Sequence, residues 1–92
     1  MIRSFRSKPL QQFADTGNSG KLPVHGAAVD RTRRVLLALD AASRPEDMNI
    51  PGYHFHSLTG VARWSVRVTA NWRITFGWHG ADAIDVDLED YH

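Results

Sequence analysis

Residues 64–69 (WSVRVT), 72–79 (WRITFGWH) and 84–89 (IDVDLE) decide the fold, because each segment alternates apolar and polar side chains. A period of two residues is typical of a β-strand that buries one face and leaves the other polar. Short links separate the three segments, which favours antiparallel pairing of neighbours. Two weaker segments, residues 2–6 and 53–58, are predicted as further strands.

The region before these strands has helical spacing instead. Ser7 is a typical N-cap residue for a first helix, with Pro9 in its first turn, and this helix is predicted to end before the flexible loop at residues 16–20. A second helix is predicted over about residues 24–42, where apolar residues recur along one stripe. Residues 43–52 contain two prolines and a glycine and are predicted to be irregular.

These elements together predict an α+β two-layer fold. One sheet face needs an apolar cover, and the two N-terminal helices are the candidates to provide it. We therefore expect an antiparallel sheet of about four to five strands with both helices on one face, in a single domain over residues 1–92. The residues expected on the covered face are Trp64, Val66, Trp72, Ile74, Phe76, Ile84, Val86 and Leu88. The residues expected on the other face, which should be open to solvent and is the predicted working surface, are Ser65, Arg67, Thr69, Arg73 and Thr75.

Composition narrows the class of protein. The 92 residues include no cysteine, which excludes disulfides, thiolate catalysis and cysteine-ligated zinc. The longest apolar run, residues 35–39, is far too short to span a membrane, and we expect a cytoplasmic protein. Residues 1–44 hold eight Lys/Arg against three Asp/Glu, or +5, whereas residues 45–92 hold three against seven, or −4. The basic half could face phosphate, or the arginines of residues 31–34 could form the solvated face of a helix.

Arginine and histidine supply the candidate chemistry. The guanidinium of Arg67 or Arg73 can hold a phosphate with two hydrogen bonds, or it can pair with an aspartate of the next strand. His56 and His92 can exchange protons near neutral pH. RNA cleavage without a metal needs a base for the 2′-hydroxyl, a cation for the phosphorane and an acid for the leaving 5′-oxygen. Since DNA lacks the 2′-hydroxyl, this chemistry selects RNA.

The same residues also have ordinary structural interpretations. His92 could be frayed or a tag remnant, and His56 could simply alternate with apolar neighbours along a strand. Tyr91 could stack on a base or donate its hydroxyl, or it could be an edge aromatic that closes the core. The sequence has no zinc-protease or phosphate-loop spacing, and its His-x-His and Asp-x-Asp pairs are weak evidence for a metal site. We therefore expect neither a metal nor a cofactor.

Taken together, these residues resemble the HigB-type toxins of bacterial toxin–antitoxin modules, within the RelE-like superfamily. The resemblance covers the whole chain and depends most on residues 70–76 (ANWRITF) and on the ending at residues 89–92 (EDYH). Residues 64–66 (WSV) and 80–83 (GADA) follow the same pattern. Because the family pattern itself ends in Tyr-His, the resemblance argues against a tag remnant at His92.

The resemblance implies an endoribonuclease that enters the ribosomal A site and cuts mRNA during translation. Arg73 would stabilise the transition-state phosphate, and His92 would act in proton transfer with Tyr91 and Asp90 beside it. His56 stands at the histidine of the family's His-x-Leu-Lys-Gly motif. The implied partners are a helix-turn-helix antitoxin of the HigA type, the ribosome and mRNA, with operator DNA reached only through the antitoxin and no membrane.

Two departures from the family pattern leave other functions possible. The motif lysine is Thr59 in this chain, and a family arginine two positions C-terminal of Arg67 is Thr69. Arg67 points to the same predicted face and is a candidate replacement, so Arg67, Thr59 and Asp90 are the predicted substrate contacts. The alternative is a catalytically weak or inactive relative that acts mainly by antitoxin binding and transcriptional co-repression. A ribosome-independent ribonuclease is a third possibility, which cleavage of naked RNA would identify.

Overall fold

The fold is a four-stranded antiparallel sheet with two helices on one face, seen in a computed structural model that describes residues 1–90. The helices are α1 (Lys8–Thr16) and α2 (Ala27–Ala41), followed by a 3-10 turn at Pro45–Met48. The strands are β1 (His56–Ser57), β2 (Trp64–Arg67), β3 (Trp72–His79) and β4 (Asp82–Asp90). The strands pair in chain order, so every connection between neighbours is local.

Local sequence signals set the helix ends. The Ser7 hydroxyl accepts a hydrogen bond from the Leu10 backbone N–H at 3.2 Å, as an N-cap does, and Gly17 ends α1 with a φ of 78°. Both ends of α1 are therefore close to their predicted positions. The second helix begins at Ala27 rather than near residue 24, because Gly26 has a φ of 60° that a helix interior does not allow.

The two weaker strand predictions are only partly correct. Residues 2–6 lie beside β4 through two isolated parallel bridges, Ile2 with Ala83 and Phe5 with Val86, and so extend the edge of the sheet without forming a full strand. The strand predicted over residues 53–58 is reduced to the two residues of β1. His54 has a φ of 50°, in the left-handed region, which interrupts the extended backbone there.

The core lies between the helices and one face of β2, β3 and β4. Val66, Ile74, Phe76 and Val86 are fully buried on the sheet side, and the helices bury an equivalent set against them. The helix residues of this core are Leu10, Phe13, Val35, Leu36 and Leu39. Burying one such side chain stabilises the fold by about 1.5–3 kcal/mol. The predicted α+β two-layer fold is confirmed.

One predicted core residue lies on the wrong face. A β-bulge between Thr75 and Gly77 shifts the register with β4, so that Gly77 opposes Ile84 and Trp78 opposes Ala83. Ile84 therefore lies on the polar side of the sheet, and Ala83 is the fully buried residue in its place. A bulge adds one residue to one strand, which reverses the inside–outside alternation beyond it.

None of the helices formed by residues 1–90 is both long enough and apolar enough to cross a membrane.

Candidate active site on the polar sheet face

Two arginines lie opposite each other on the polar face, the side of the sheet turned away from α1 and α2. Arg67 on β2 and Arg73 on β3 are register partners, and Glu89 on β4 follows in the same row. Both arginines are half-buried, and both Nε atoms are buried. The row therefore places two guanidinium groups and one carboxylate side by side across three strands. The prediction that Arg67 and Arg73 share a face is confirmed.

His56 lies on the first strand of the same face. Its Nδ1 is 3.0 Å from the His54 carbonyl oxygen, and its Nε2 is 3.2 Å from the Ser65 hydroxyl. Because a carbonyl oxygen can only accept, the proton of the neutral ring is assigned to Nδ1. The Nε2 atom then has a lone pair, to which Ser65 donates. These two hydrogen bonds orient the exposed imidazole of His56, and both of its ring nitrogens have a partner within the protein.

A third guanidinium, which the sequence analysis missed, crosses the centre of the polar face. The Nη2 atom of Arg63 donates to the Thr75 hydroxyl at 2.9 Å and to the Asp85 carbonyl oxygen at 2.8 Å. The Thr75 hydroxyl in turn donates to a carboxylate oxygen of Glu89. These bonds join the start of β2 to β4. The sequence pattern could have predicted that Arg63 lies on the polar face. Arg63 stands two residues before Ser65, and side chains two residues apart in a strand point to the same face.

The guanidinium of Arg63 lies beside the bulge. A Cβ atom added at Gly77 would lie 3.3 Å from Ile84 Cγ1, which is a tight contact, and 3.7 Å from Arg63 Nη1, which is an ordinary van der Waals contact. Asp85 has a φ of 50° at the irregular part of β4, and its carbonyl oxygen accepts from Arg63. The β-bulge therefore places the Asp85 carbonyl oxygen and Gly77, which has no side chain, next to the Arg63 guanidinium.

The centre of the polar face is not open to solvent, contrary to prediction. Ser65 and Thr75 are only 1% and 0% exposed. Their hydrogen-bond partners, His56, Arg63 and Glu89, are longer side chains that cover them. A ligand approaching this face would meet a layer of imidazole, guanidinium and carboxylate groups rather than the hydroxyl groups.

Burial and the nearby carboxylates shift the pKa of the Arg63 guanidinium in opposite directions. Burial lowers its pKa most, and the positive charge of Arg6 lowers it further. The carboxylates of Glu89, Asp85 and Asp87 raise it. Arginine nevertheless stays protonated at any ordinary pH. The polar face therefore holds a permanent cation in a partly desolvated place, where its attraction for an anion is stronger than in bulk water.

Two predicted substrate contacts lie at the margins of this face. Thr59 is exposed in the hairpin loop between β1 and β2. Asp90 opposes Trp72, a residue of the apolar face, so the register places Asp90 on the other side of the sheet from Arg73. Glu89, rather than Asp90, is the acidic residue in the row of Arg73.

The remaining predictions for the site fall at the chain end. Tyr91 and His92 lie outside the described residues, so their roles stay predictions. Within residues 1–90, no group of three or more histidine and carboxylate side chains is arranged to hold a metal ion.

Part of the positive charge of the first half is engaged within the helix layer. Arg31 donates to two backbone carbonyl oxygens and lies 5.0 Å from the centre of the Tyr53 ring. Arg33 pairs with Asp30 at 2.6 Å. Arg34 is exposed on α2. Two of these three arginines thus have contacts within the protein, and this helix layer lies on the far side of the sheet from the polar face.

Comparison with known proteins identifies the family. A family profile described as "RelE-like toxin of type II toxin-antitoxin system HigB" matches residues 3–92. The chain belongs to this HigB-like toxin family. It is also 38% identical over 94 residues to a curated protein, the endoribonuclease HigB of Proteus vulgaris, with 100% of each chain covered. Membership of a toxin–antitoxin family implies an antitoxin partner for this HigB-like toxin.

Proposed function

We propose that this HigB-like toxin is an endoribonuclease that cuts mRNA in the ribosomal A site, and thereby inhibits translation and arrests growth. The observation that carries the proposal is the opposed pair Arg67 and Arg73, two permanent cations on the polar face that also bears His56. The Proteus vulgaris relative, whose name is that of an endoribonuclease, supports the same activity here.

The proposed reaction needs a base, a cation and an acid around one phosphate. The base removes the 2′-hydroxyl proton, O2′ bonds to phosphorus, and the P–O5′ bond breaks as the acid protonates O5′, which gives a 2′,3′-cyclic phosphate and a 5′-hydroxyl. Arg73, with Arg67, would stabilise the charged phosphorane. His56, Tyr91 and His92 are the proposed proton-transfer groups. His56 would act as the base once its Nε2 atom exchanges the Ser65 hydroxyl for the 2′-hydroxyl of the substrate.

The proposed partners follow from the same reaction. A ribosome presents mRNA to the polar face in the cytoplasm, with Thr59 as a further contact at its margin. Asp90 lies on the other side of the sheet, so it would contact RNA only beyond the edge of this face. A helix-turn-helix antitoxin of the HigA type would neutralise the toxin and bring it to operator DNA. Guanidinium and imidazole groups supply the charge and the proton transfer, so the proposal includes no metal and no cofactor.

The test is mRNA cleavage in a purified translation reaction, mapped by primer extension with and without ribosomes. Arg73→Gln and His92→Gln are the site variants, and Arg34→Gln is the control that removes the same charge from the helix layer. We expect cuts only on translating ribosomes. Loss of a group that stabilises transition-state charge lowers the rate about 10²–10³-fold, so the cleavage rate of Arg73→Gln should decrease by at least that factor.

The other outcomes distinguish the alternatives. Equal cleavage of naked RNA would identify a ribosome-independent ribonuclease. No cleavage by folded protein that still binds its antitoxin would favour the alternative of antitoxin binding and co-repression. Cleavage by Arg73→Gln at the rate of the unmodified protein would show that the arginine pair is not the site.

A further inference from the structure

We propose that Arg63 is a phosphate-binding residue of the polar face and contacts an RNA phosphate adjacent to the one held by Arg67 and Arg73. This inference rests on the proposed function, because it concerns the RNA that the toxin would bind. It assigns a role to a side chain that the sequence analysis did not select.

The Arg63 guanidinium is fixed in place with donors to spare. Both hydrogen bonds that it makes come from Nη2, and both acceptors are neutral, the Thr75 hydroxyl and the Asp85 carbonyl. A guanidinium has five N–H donors. Within residues 1–90, the Nε–H and the two Nη1–H groups of Arg63 have no hydrogen-bond acceptor. The side chain is therefore already ordered, and a ligand that accepts from these donors would not have to restrict its motion.

The charge of Arg63 is not neutralised by direct contact. No carboxylate of residues 1–90 lies within ion-pair distance of this guanidinium. The carboxylates of Glu89, Asp85 and Asp87 act on it only from farther away. A half-buried cation without a contacting counter-ion has lost part of its hydration, and an anion is the ligand that compensates for this loss.

The spacing of the face matches a nucleic-acid backbone. The Arg63 guanidinium reaches Thr75, which lies one row along the sheet from the row of Arg67 and Arg73. Rows on one face of a sheet are about 7 Å apart. This separation is comparable to that of neighbouring phosphates in an extended single strand. A strand of RNA laid along β3 would meet Arg63 and then the arginine pair, with His56 to one side.

The position of Arg63 in the hairpin loop strengthens the assignment. The Leu58 N–H donates to the Arg63 carbonyl oxygen at 2.9 Å, which closes the loop that carries Thr59. Arg63 therefore places a positive charge at one end of this loop, whereas Thr59, near the other end, is uncharged. Its side chain leaves the loop across the polar face, in the direction of Thr75 and Asp85.

The experiment compares the salt dependence of RNA binding between variants. The probe is a short single-stranded RNA with 2′-O-methyl groups, which the proposed reaction cannot cleave, and binding is followed by fluorescence anisotropy. The variants are Arg63→Gln and Arg63→Lys, with Arg34→Gln as the matched loss of charge from the helix layer. Loss of one phosphate contact from a single strand reduces the slope of log K against log salt by about 0.7.

We expect Arg63→Gln to weaken binding roughly tenfold at low salt and to reduce the slope by that amount, because a charge-assisted hydrogen bond is lost. Arg63→Lys should retain the slope of the unmodified protein, since it keeps the charge. A role that is only structural would lower stability without changing the slope. An unchanged slope for Arg63→Gln, an equal change for Arg34→Gln, or no binding of the probe by the unmodified protein would each overturn the inference.

A second measurement avoids any failure of a variant to fold. In the unmodified protein, the Nε–H resonance of Arg63 should shift when the RNA probe is titrated, and a resonance that does not move would contradict the contact. Cleavage by the unmodified protein on translating ribosomes tests the proposed function separately. Cleavage with an unchanged Arg63→Gln slope would refute only the present inference, whereas no cleavage with a reduced slope would refute only the proposed function.

Discussion

The Thr75 hydroxyl is the central contact of the polar face, and replacing it by a methyl group has a predictable cost. Thr75 is 0% exposed, accepts from Arg63 and donates to Glu89. Thr75→Val keeps the shape of the side chain and its β-branching but leaves both charged groups without this partner. A hydrogen bond to a charged group contributes about 1.5–3 kcal/mol when buried.

The expected loss is smaller than two such bonds, because Arg63 and Glu89 are only half-buried and can turn to water. We expect a decrease of about 2 kcal/mol in the free energy of unfolding. At about 2.1 cal/mol/K of unfolding entropy per residue, this corresponds to a decrease of roughly 10 °C in Tm for a chain of this length. Urea denaturation followed by circular dichroism would measure the change.

Thr32→Val is the matched control. Thr32 is equally buried, but its hydroxyl donates to the Ala28 carbonyl oxygen at 2.8 Å, an acceptor within its own helix. The helix backbone also uses this carbonyl, so the cost should be at most about 0.5 kcal/mol. If Thr75→Val costs no more than Thr32→Val, the bonds that join Arg63, Thr75 and Glu89 do not stabilise the fold as argued here.

Two further predictions concern contacts away from the polar face. The Ser43 N–H, followed by the Arg44 side chain, lowers the pKa of Asp47 below its ordinary value of 3.8. Ionised Asp47 therefore stabilises the fold above that value, and this stabilisation is lost as the pH falls through the lowered pKa. Asp47→Asn should reduce Tm at pH 7 but match the unmodified protein at strongly acid pH, and an equal difference at both would contradict the assignment. Ser7→Ala removes the cap of α1 and should cost about 1 kcal/mol, or roughly 5 °C in Tm, with endoribonuclease activity unchanged. An unchanged Tm would show that this cap contributes nothing.

The fold was predictable from the sequence wherever one period ran without interruption. The alternation around Trp64, Val66 and Ile74 and the cap at Ser7 gave the layers and the start of α1. The errors lie where a single backbone angle interrupts a segment. His54, with a φ of 50°, shortens a strand whose sequence contains no glycine or proline to indicate it.

The bulge explains why the site was harder to predict than the fold. Residues 84–88 alternate without a break, and nothing in this pattern shows that β4 has one residue more than β3 opposite Phe76. That extra residue moves Ile84 to the polar face and directs the Asp85 carbonyl to Arg63. Pairing between strands, which a single sequence does not specify, determines which residues meet. Arg67 and Arg73 could be placed on one face because the β2–β3 ladder that pairs them has no register shift.

The local distribution of charge matters more than the net charge of only +1 for the RNA binding proposed here. Charges separated by more than about 8–10 Å are largely screened at physiological salt, so a phosphate responds mainly to the groups nearest to it. On the polar face those groups are Arg63, Arg67 and Arg73. The acidic residues of β4 lie beside them, and Glu89 is tied to Thr75 rather than ion-paired with Arg63. A net charge near zero therefore does not argue against the proposed contact of Arg63 with RNA, since no carboxylate of residues 1–90 lies within ion-pair distance of that guanidinium.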